Sequence, residues 1–148
     1  MFNAKGVKIA GIVAMVAGLL MIIAGGVTWG LVSSQLKEEH ITVSADAPAF
    51  GNKEVNGPLD AYYQAEAIKH HVLEATGGKT YAQLDREDPK RATAMNGDFL
   101  RASLFTSVVA FGVAAFAMGM GVLTILFGWA ITALAGTRVA ATATAATV

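Results

Sequence analysis

The stretch IAGIVAMVAGLLMIIAGGVTWGLVSSQL, residues 9–36, contains no Asp, Glu, Lys or Arg, and it decides the fold class of this chain. A second charge-free stretch, ASLFTSVVAFGVAAFAMGMGVLTILFGWAITALAGT, covers residues 102–137. A charge at the bilayer centre costs at least about 2.5 kcal/mol, and a spanning helix needs about 20 apolar residues. The two stretches therefore predict transmembrane helices at residues 7–31 and 104–134.

The composition of the whole chain favours the same class. Of the 148 residues, 54% are hydrophobic and 15% are charged, the formal net charge is zero, and there is no cysteine. A typical soluble domain has about a quarter of its residues charged. This composition excludes a disordered tail, a basic protein that binds nucleic acid, a typical cytosolic enzyme and any site that needs a thiolate.

The charges that flank the two spans predict the orientation of the chain. Lys5 and Lys8 precede the first charge-free stretch and Arg138 follows the second, whereas the segment between the spans has eight basic and eleven acidic residues. Because basic flanks stay in the cytoplasm, we expect cytoplasmic tails at residues 1–6 and 135–148 and an extracytoplasmic segment at residues 32–103. The first span is expected to be an uncleaved anchor, since its apolar stretch is longer than a signal-peptide core.

The segment between the spans is predicted to contain a helix at residues 58–76. Pro58 suits the first helical turn because its missing N–H is not needed there, and Gly77 suits a left-handed C-cap. Residues 32–57 lack helical periodicity and are expected to be irregular or extended. Pro89 is expected in the first turn of a helix that either precedes the second span or is continuous with it. The predicted fold is an all-α membrane protein, a two-helix transmembrane hairpin with a small extracytoplasmic helical cap.

Small residues recur at intervals of seven in both spans. Every seventh residue returns to nearly the same helix face, and glycine and alanine let helix backbones approach closely in a membrane. The predicted packing residues are Gly11, Gly18, Gly25, Ala110, Ala114, Ala117, Gly121, Gly128 and Ala135. Small residues also occupy other faces, as at Gly112 and Gly119. The stripes either join the two helices of one chain or also bind further copies or other membrane subunits, and we favour the second interpretation.

Candidate residues for chemistry are few. Glu66, His70 and Glu74 share one helix face, so they are weak candidates for a zinc or iron site, and a solvated helix face is the favoured alternative. A non-haem iron oxygenase needs two histidines and a carboxylate around one iron, but the adjacent His70 and His71 project about 100° apart on a helix. We therefore expect no catalytic residues, no metal and no cofactor.

The polar and aromatic residues of the spans allow two further predictions. Neither charge-free stretch has an ionisable side chain, which excludes the proton relays and ion-pair tracks of transporters. The hydroxyl groups in the spans are expected to bond to the preceding helical turn, with a hydroxyl-lined pore as the alternative. Trp29 and Trp129, near the ends of the spans, are predicted interface anchors because indole favours the boundary between lipid and water.

A resemblance to a known family lies in residues 7–31, in the run SADAPAF at residues 44–50, and in residues 77–89 and 99–121, so it covers most of the chain. On these segments the chain resembles a family of uncharacterised actinobacterial two-span membrane proteins. Members of this family often carry an automatic label as aromatic-ring-opening dioxygenases. The resemblance implies no established activity.

These observations predict a non-catalytic integral membrane protein in the cell membrane. It is expected to be a structural or accessory subunit that self-associates or packs in a larger membrane complex, such as a respiratory assembly, through its Gly/Ala-striped helices. Its expected partners are the lipid bilayer and copies of itself or other subunits, and not nucleic acid. The second interpretation is a pore-forming homo-oligomer, and the third is an extracytoplasmic metal-binding protein.

Overall fold

The structure is a computed structural model that describes the backbone of residues 4–145 and the side chains of residues 4–135. The described residues form three α-helices and one short 3-10 helix. In chain order these are α1 (Ala4–Glu38), α2 (Pro58–Thr76), the 3-10 helix (Tyr81–Gln83) and α3 (Lys90–Ala145). Both α1 and α3 are long and apolar enough to cross a membrane, so the structure confirms the prediction of two such helices with a shorter helix between them.

Helix α1 is longer than the first predicted span. Residues 32–38 are helical, so the prediction that they are irregular is wrong. The physical reason is tertiary packing, because the extra turns place the Leu36 side chain, 7% exposed, in a hydrophobic cluster with Leu104 and Phe111. The favourable burial of that leucine outweighs the weak helical preference of the neighbouring serines.

Helix α3 extends beyond the second predicted span at both ends. It begins at Lys90, directly after Pro89, and continues as a single helix of 56 residues. This is the continuous form of the helix that the sequence allows. Residues 135–145, predicted as part of a tail, have helical backbone. The side chain of Arg138 and residues 1–3 and 146–148 lie outside the described residues.

Helix α2 has the bounds that the sequence predicts, and both of its ends are capped. Gly57 and Asn56 donate backbone N–H groups to the Asp60 carboxylate, at 2.8 and 3.2 Å. At the other end Gly77 has a left-handed φ of 70°, and its N–H and that of Gly78 donate to carbonyls of the last turn. These bonds satisfy backbone groups that a helix end leaves without intrahelical partners.

The chain divides into two compact units, residues 1–27 with 113–148, and residues 28–112. In the first unit the glycines of α1 meet small residues of α3 in antiparallel order, with Gly11 against Gly128 and Gly18 against Gly121. The first unit is therefore an antiparallel helix pair.

The second unit has its own small hydrophobic core. The loop between α1 and α2 contributes Val43 and Val55, which are 1% and 0% exposed. Two backbone bonds fix these valines: Val43 donates to the carbonyl of Lys53 at 2.8 Å, and Val55 donates to that of Ile41 at 2.9 Å. The core is completed by residues of the three helices, Leu36, Ala61, Ala65, Leu104 and Phe111.

Candidate functional site

The predicted glycine stripes meet each other inside the first unit. A Cβ atom on Gly18 would lie 2.5 Å from the carbonyl oxygen of Gly121, and one on Gly25 would lie 2.7 Å from that of Ala114. A Cβ atom on Gly128 would lie 2.5 Å from the carbonyl oxygen of Gly11. Real Cβ atoms essentially never approach other heavy atoms within 3.0 Å. A side chain at Gly18, Gly25 or Gly128 would therefore force the two helices apart. We call the six facing residues the glycine seam, of which one is an alanine: Gly11, Gly18, Gly25, Ala114, Gly121 and Gly128.

Burial follows the seven-residue period along the seam. All six residues of the glycine seam are buried, as is Ala135 at 6% exposure. Ala117 lies beside the seam and is half-buried, and Ala110 is half-buried in the second unit. The structure thus shows the stripes joining two helices of one chain. The interpretation that small residues of these helices also bind further copies or other membrane subunits stays a prediction.

Other faces of the same helices are uncovered. A Cβ atom built on Gly26, Gly30, Gly112 or Gly119 would meet nothing within 4 Å among the described residues. Large apolar side chains on these helices are also exposed, including Phe116 at 70%. In the most apolar windows of α1 and α3, only 11% and 17% of the residues are buried. The described part of the chain therefore leaves most of its apolar helix surface without protein contacts.

Four hydroxyl groups of α3 donate to the backbone of the same helix. Thr106, Ser107, Thr124 and Thr132 each donate to the carbonyl oxygen four residues earlier, over 2.7 to 3.3 Å. This geometry confirms the prediction that these groups return a bond to the preceding turn. A hydroxyl held in this way still has acceptor capacity, but its proton is already used.

The two tryptophans have different surroundings. Trp29 is half-buried and its ring packs edge-on against Phe111, with 4.7 Å between ring centroids. Trp129 is 64% exposed. Trp129 therefore has the exposure expected of an interface anchor, whereas Trp29 also packs as part of the protein core.

The metal candidates on α2 do not form a three-ligand group. Glu66 lies 3.8 Å from the guanidinium of Arg101, which also donates to the carbonyl oxygen of Ala65. His70 and Glu74 pair with each other at 3.2 Å and are both largely exposed. Within the part of the chain that the structure describes, no group of three His, Cys, Asp or Glu side chains is arranged to hold a metal ion.

The sequence does not predict one polar contact between α2 and the loop that precedes it. The Nε2 atom of His71 lies 2.7 Å from an oxygen of Asp46. This hydrogen bond lowers the pKa of the Asp46 carboxyl below its usual value, and the nearby charges of His71 and His70 act in the same direction. The two residues are 25 positions apart in an irregular loop and a helix, so no spacing rule connects them.

Comparison of the chain with protein-family models, curated proteins and solved structures found no match.

Proposed function

We propose that the protein is a non-catalytic integral membrane subunit whose two long helices cross the bilayer and associate with further copies or with a larger complex. One observation carries the proposal: α1 and α3 are strongly apolar, yet their most apolar windows are only 11% and 17% buried. A core helix of a soluble domain is covered by its own protein. These helices need an apolar environment from outside the chain, and a lipid bilayer provides it.

The size of the exposed apolar side chains supports this environment. Leu20, Phe116 and Phe127 are 61%, 70% and 66% exposed. Fully burying one such side chain is worth about 1.5 to 3 kcal/mol relative to leaving it in water. Summed over the many such side chains on the two helices, the free energy of transfer into lipid exceeds the free energy of unfolding of a typical small domain.

The uncovered glycines support the association part of the proposal. Helix interfaces in membranes are enriched in small residues because close backbone approach increases van der Waals contact. The glycine seam already uses one face of each helix, whereas Gly112 and Gly119 lie on another face of α3 with no neighbour among the described residues. This second small-residue face suits contact with another copy or with a different subunit.

The proposed orientation has cytoplasmic termini and an extracytoplasmic segment between the spans. It rests on the basic flanks and on the excess of acidic residues in the intervening segment. The resemblance to actinobacterial two-span membrane proteins is in keeping with this topology.

A labelling experiment tests insertion and orientation together. Because the chain has no cysteine, single-cysteine variants report one position each. In intact cells, a membrane-impermeant maleimide should label Asp85→Cys, whereas Gly6→Cys should react only after permeabilisation. The reverse pattern would invert the topology, and extraction of the wild-type chain from membranes by alkaline carbonate would overturn the proposal.

The pore-forming homo-oligomer and the metal-binding protein stay predictions without a supporting observation. Four α3 hydroxyls donate to their own helix, Glu66 pairs with Arg101, and His70 pairs with Glu74. The geometry of the described residues favours the subunit interpretation over both.

A further inference from the structure

The second unit contains a groove of about 750 Å³ between the end of α1, the middle of α2 and the first half of α3. Its apolar lining includes Val32, Leu36, Ile68 and Leu104. Sites for small molecules and cofactors usually have volumes of about 300 to 1,000 Å³ and mostly apolar walls with a few polar groups. The groove has the size and the lining of such a site.

One polar side chain in the groove wall lacks a complete set of partners. Gln64 lines the groove and is 9% exposed. Its Oε1 atom accepts from the backbone N–H of Ser44 at 2.8 Å, which fixes the orientation of the amide because a backbone N–H can only donate. Among the described residues, the NH₂ group of Gln64 donates to no acceptor. Since the described residues contain no buried side-chain nitrogen or oxygen without a partner, this NH₂ group is accessible, and a ligand in the groove with a carbonyl or ester oxygen can accept its hydrogen bond.

The charge of the groove is entirely negative. Glu38 and Glu39 are the charged residues that line it, and no lysine or arginine of the described residues does so. Glu38 is 3.5 Å from the hydroxyl of Ser34, and both carboxylates are exposed at the rim. Two carboxylates beside an apolar wall are complementary to an ammonium group on an amphiphile with a hydrocarbon tail.

The position of the groove along the chain indicates where such an amphiphile comes from. On α1 the groove begins at Val32, inside the charge-free stretch, and ends at the first acidic residues after it. On α3 it extends to Ser107, six residues beyond Arg101, the last charge before the second apolar stretch. In the proposed topology, these are the boundaries between lipid and water.

We infer that this groove binds a phospholipid with a primary ammonium head group, namely an ethanolamine lipid of the surrounding bilayer. The ammonium group pairs with Glu38 and Glu39, an ester carbonyl accepts from Gln64, and one acyl chain lies along the apolar wall. The phosphate stays in water, since no lysine or arginine of the described residues lines the groove. A primary ammonium has three N–H donors for the two carboxylates, whereas a choline head has none. This inference rests on the proposed membrane function.

Native mass spectrometry of the purified full chain in mild detergent tests the inference. The probes are equimolar dioleoyl lipids with ethanolamine, choline or glycerol head groups. We expect the chain to retain one ethanolamine lipid, with about fivefold to tenfold preference over the choline lipid and the weakest binding of the anionic glycerol lipid. The Glu38→Gln/Glu39→Gln variant should lose the preference, and Asp85→Asn/Glu87→Gln, which removes two carboxylates outside the groove, should keep it.

A second pair of variants tests the groove itself. Leu100→Trp fills part of the groove and should lower retention of the ethanolamine lipid, whereas Leu59→Trp, another exposed leucine outside the groove, should not. Equal retention of the three lipids by a chain that resists carbonate extraction would overturn this inference alone. If Leu100→Trp changes the oligomer size and the wild-type chain shows no lipid preference, the inference is overturned, and a second copy of the chain occupies the groove. Extraction by carbonate would overturn both this inference and the proposed function.

Discussion

Gly18 and Gly119 both lie in apolar helices, but their surroundings differ completely. A Cβ atom on Gly18 would meet the carbonyl oxygen of Gly121 at 2.5 Å, whereas one on Gly119 would meet nothing within 4 Å. At the residue scale, the requirement for glycine therefore comes from the opposite backbone and not from the helix that carries the residue.

The Gly18→Ala variant is expected to destabilise the helix pair of the first unit. The added methyl forces α1 away from α3 at the seam, and such overpacking typically costs about 1 to 3 kcal/mol. Unfolding of the detergent-solubilised chain by added SDS, followed by circular dichroism, measures the difference. The matched Gly119→Ala variant should leave the midpoint unchanged or raise it slightly, since alanine is the better helix former. Equal midpoints for Gly18→Ala and the wild type would contradict the close approach.

The contact between Asp46 and His71 predicts a pH effect at a single carboxyl group. His71→Gln should raise the pKa of Asp46 towards its usual value, because the main cause of its lowering is the hydrogen bond from His71. His70→Gln should raise it less, since His70 contributes only through its charge. The folded chain favours the ionised carboxyl, so the contact stabilises the loop at neutral pH and is lost as the pH falls through the lowered pKa. Carbon-13 NMR titration of the Asp46 carboxyl measures this, and an unchanged midpoint in His71→Gln would exclude the contact.

At the scale of elements, α2 depends on its ends and on one side chain from α3. Asp60 is 2% exposed and accepts from two backbone N–H groups of the preceding residues, with Lys53 3.5 Å away. Arg101 of α3 donates to the carbonyl oxygen of Ala65 and lies near Glu66. The cap fixes where α2 begins, and Arg101 holds it against α3 within the second unit.

The Asp60→Ala variant should therefore loosen the start of α2. It leaves backbone N–H groups without their acceptor and leaves Lys53 without its partner, at a cost of about 1 to 2 kcal/mol. Hydrogen exchange should accelerate in the first turn of α2 and in residues 53–57. Asp85→Ala removes an exposed carboxylate and serves as the control, with unchanged exchange in α2. Similar exchange in both variants would show that the cap is not needed.

At the scale of the whole molecule, the distribution of apolar surface predicts association. The glycine seam occupies one face of the long helices, and most of their remaining apolar surface is exposed within the described residues. Lipid covers apolar side chains without distinguishing one face from another. A face with small residues is better covered by another helix, because the backbones can come closer together.

The Gly112→Leu/Gly119→Leu variant should reduce the size of the assembly in mild detergent. We expect the wild type to migrate well above the 15.3 kDa of one chain and the variant to shift towards it, as measured by light scattering during size-exclusion chromatography. Gly6→Leu, which also changes an uncovered glycine, lies before the charge-free stretch and should keep the wild-type size. A strictly monomeric wild type would contradict the association part of the proposal.

The sequence by itself determined the features that depend on composition and local pattern. Two charge-free stretches are sufficient to predict two long apolar helices, because charges are costly in lipid and such stretches have one usual explanation. The bounds of α2 follow from Pro58 and Gly77, since backbone geometry at helix ends depends on a few neighbouring residues. The seven-residue period likewise predicts which glycines share a face.

Only the tertiary structure decided what those features contact. The glycine stripes are equally suited to a partner within the chain or outside it, and the Cβ distances at Gly18 and Gly25 assign them to the chain itself. The helical residues 32–38, the bond between Asp46 and His71, and the groove beside Gln64 all join segments that are distant in sequence. Such contacts depend on packing among several elements, and therefore local spacing in the sequence does not predict them.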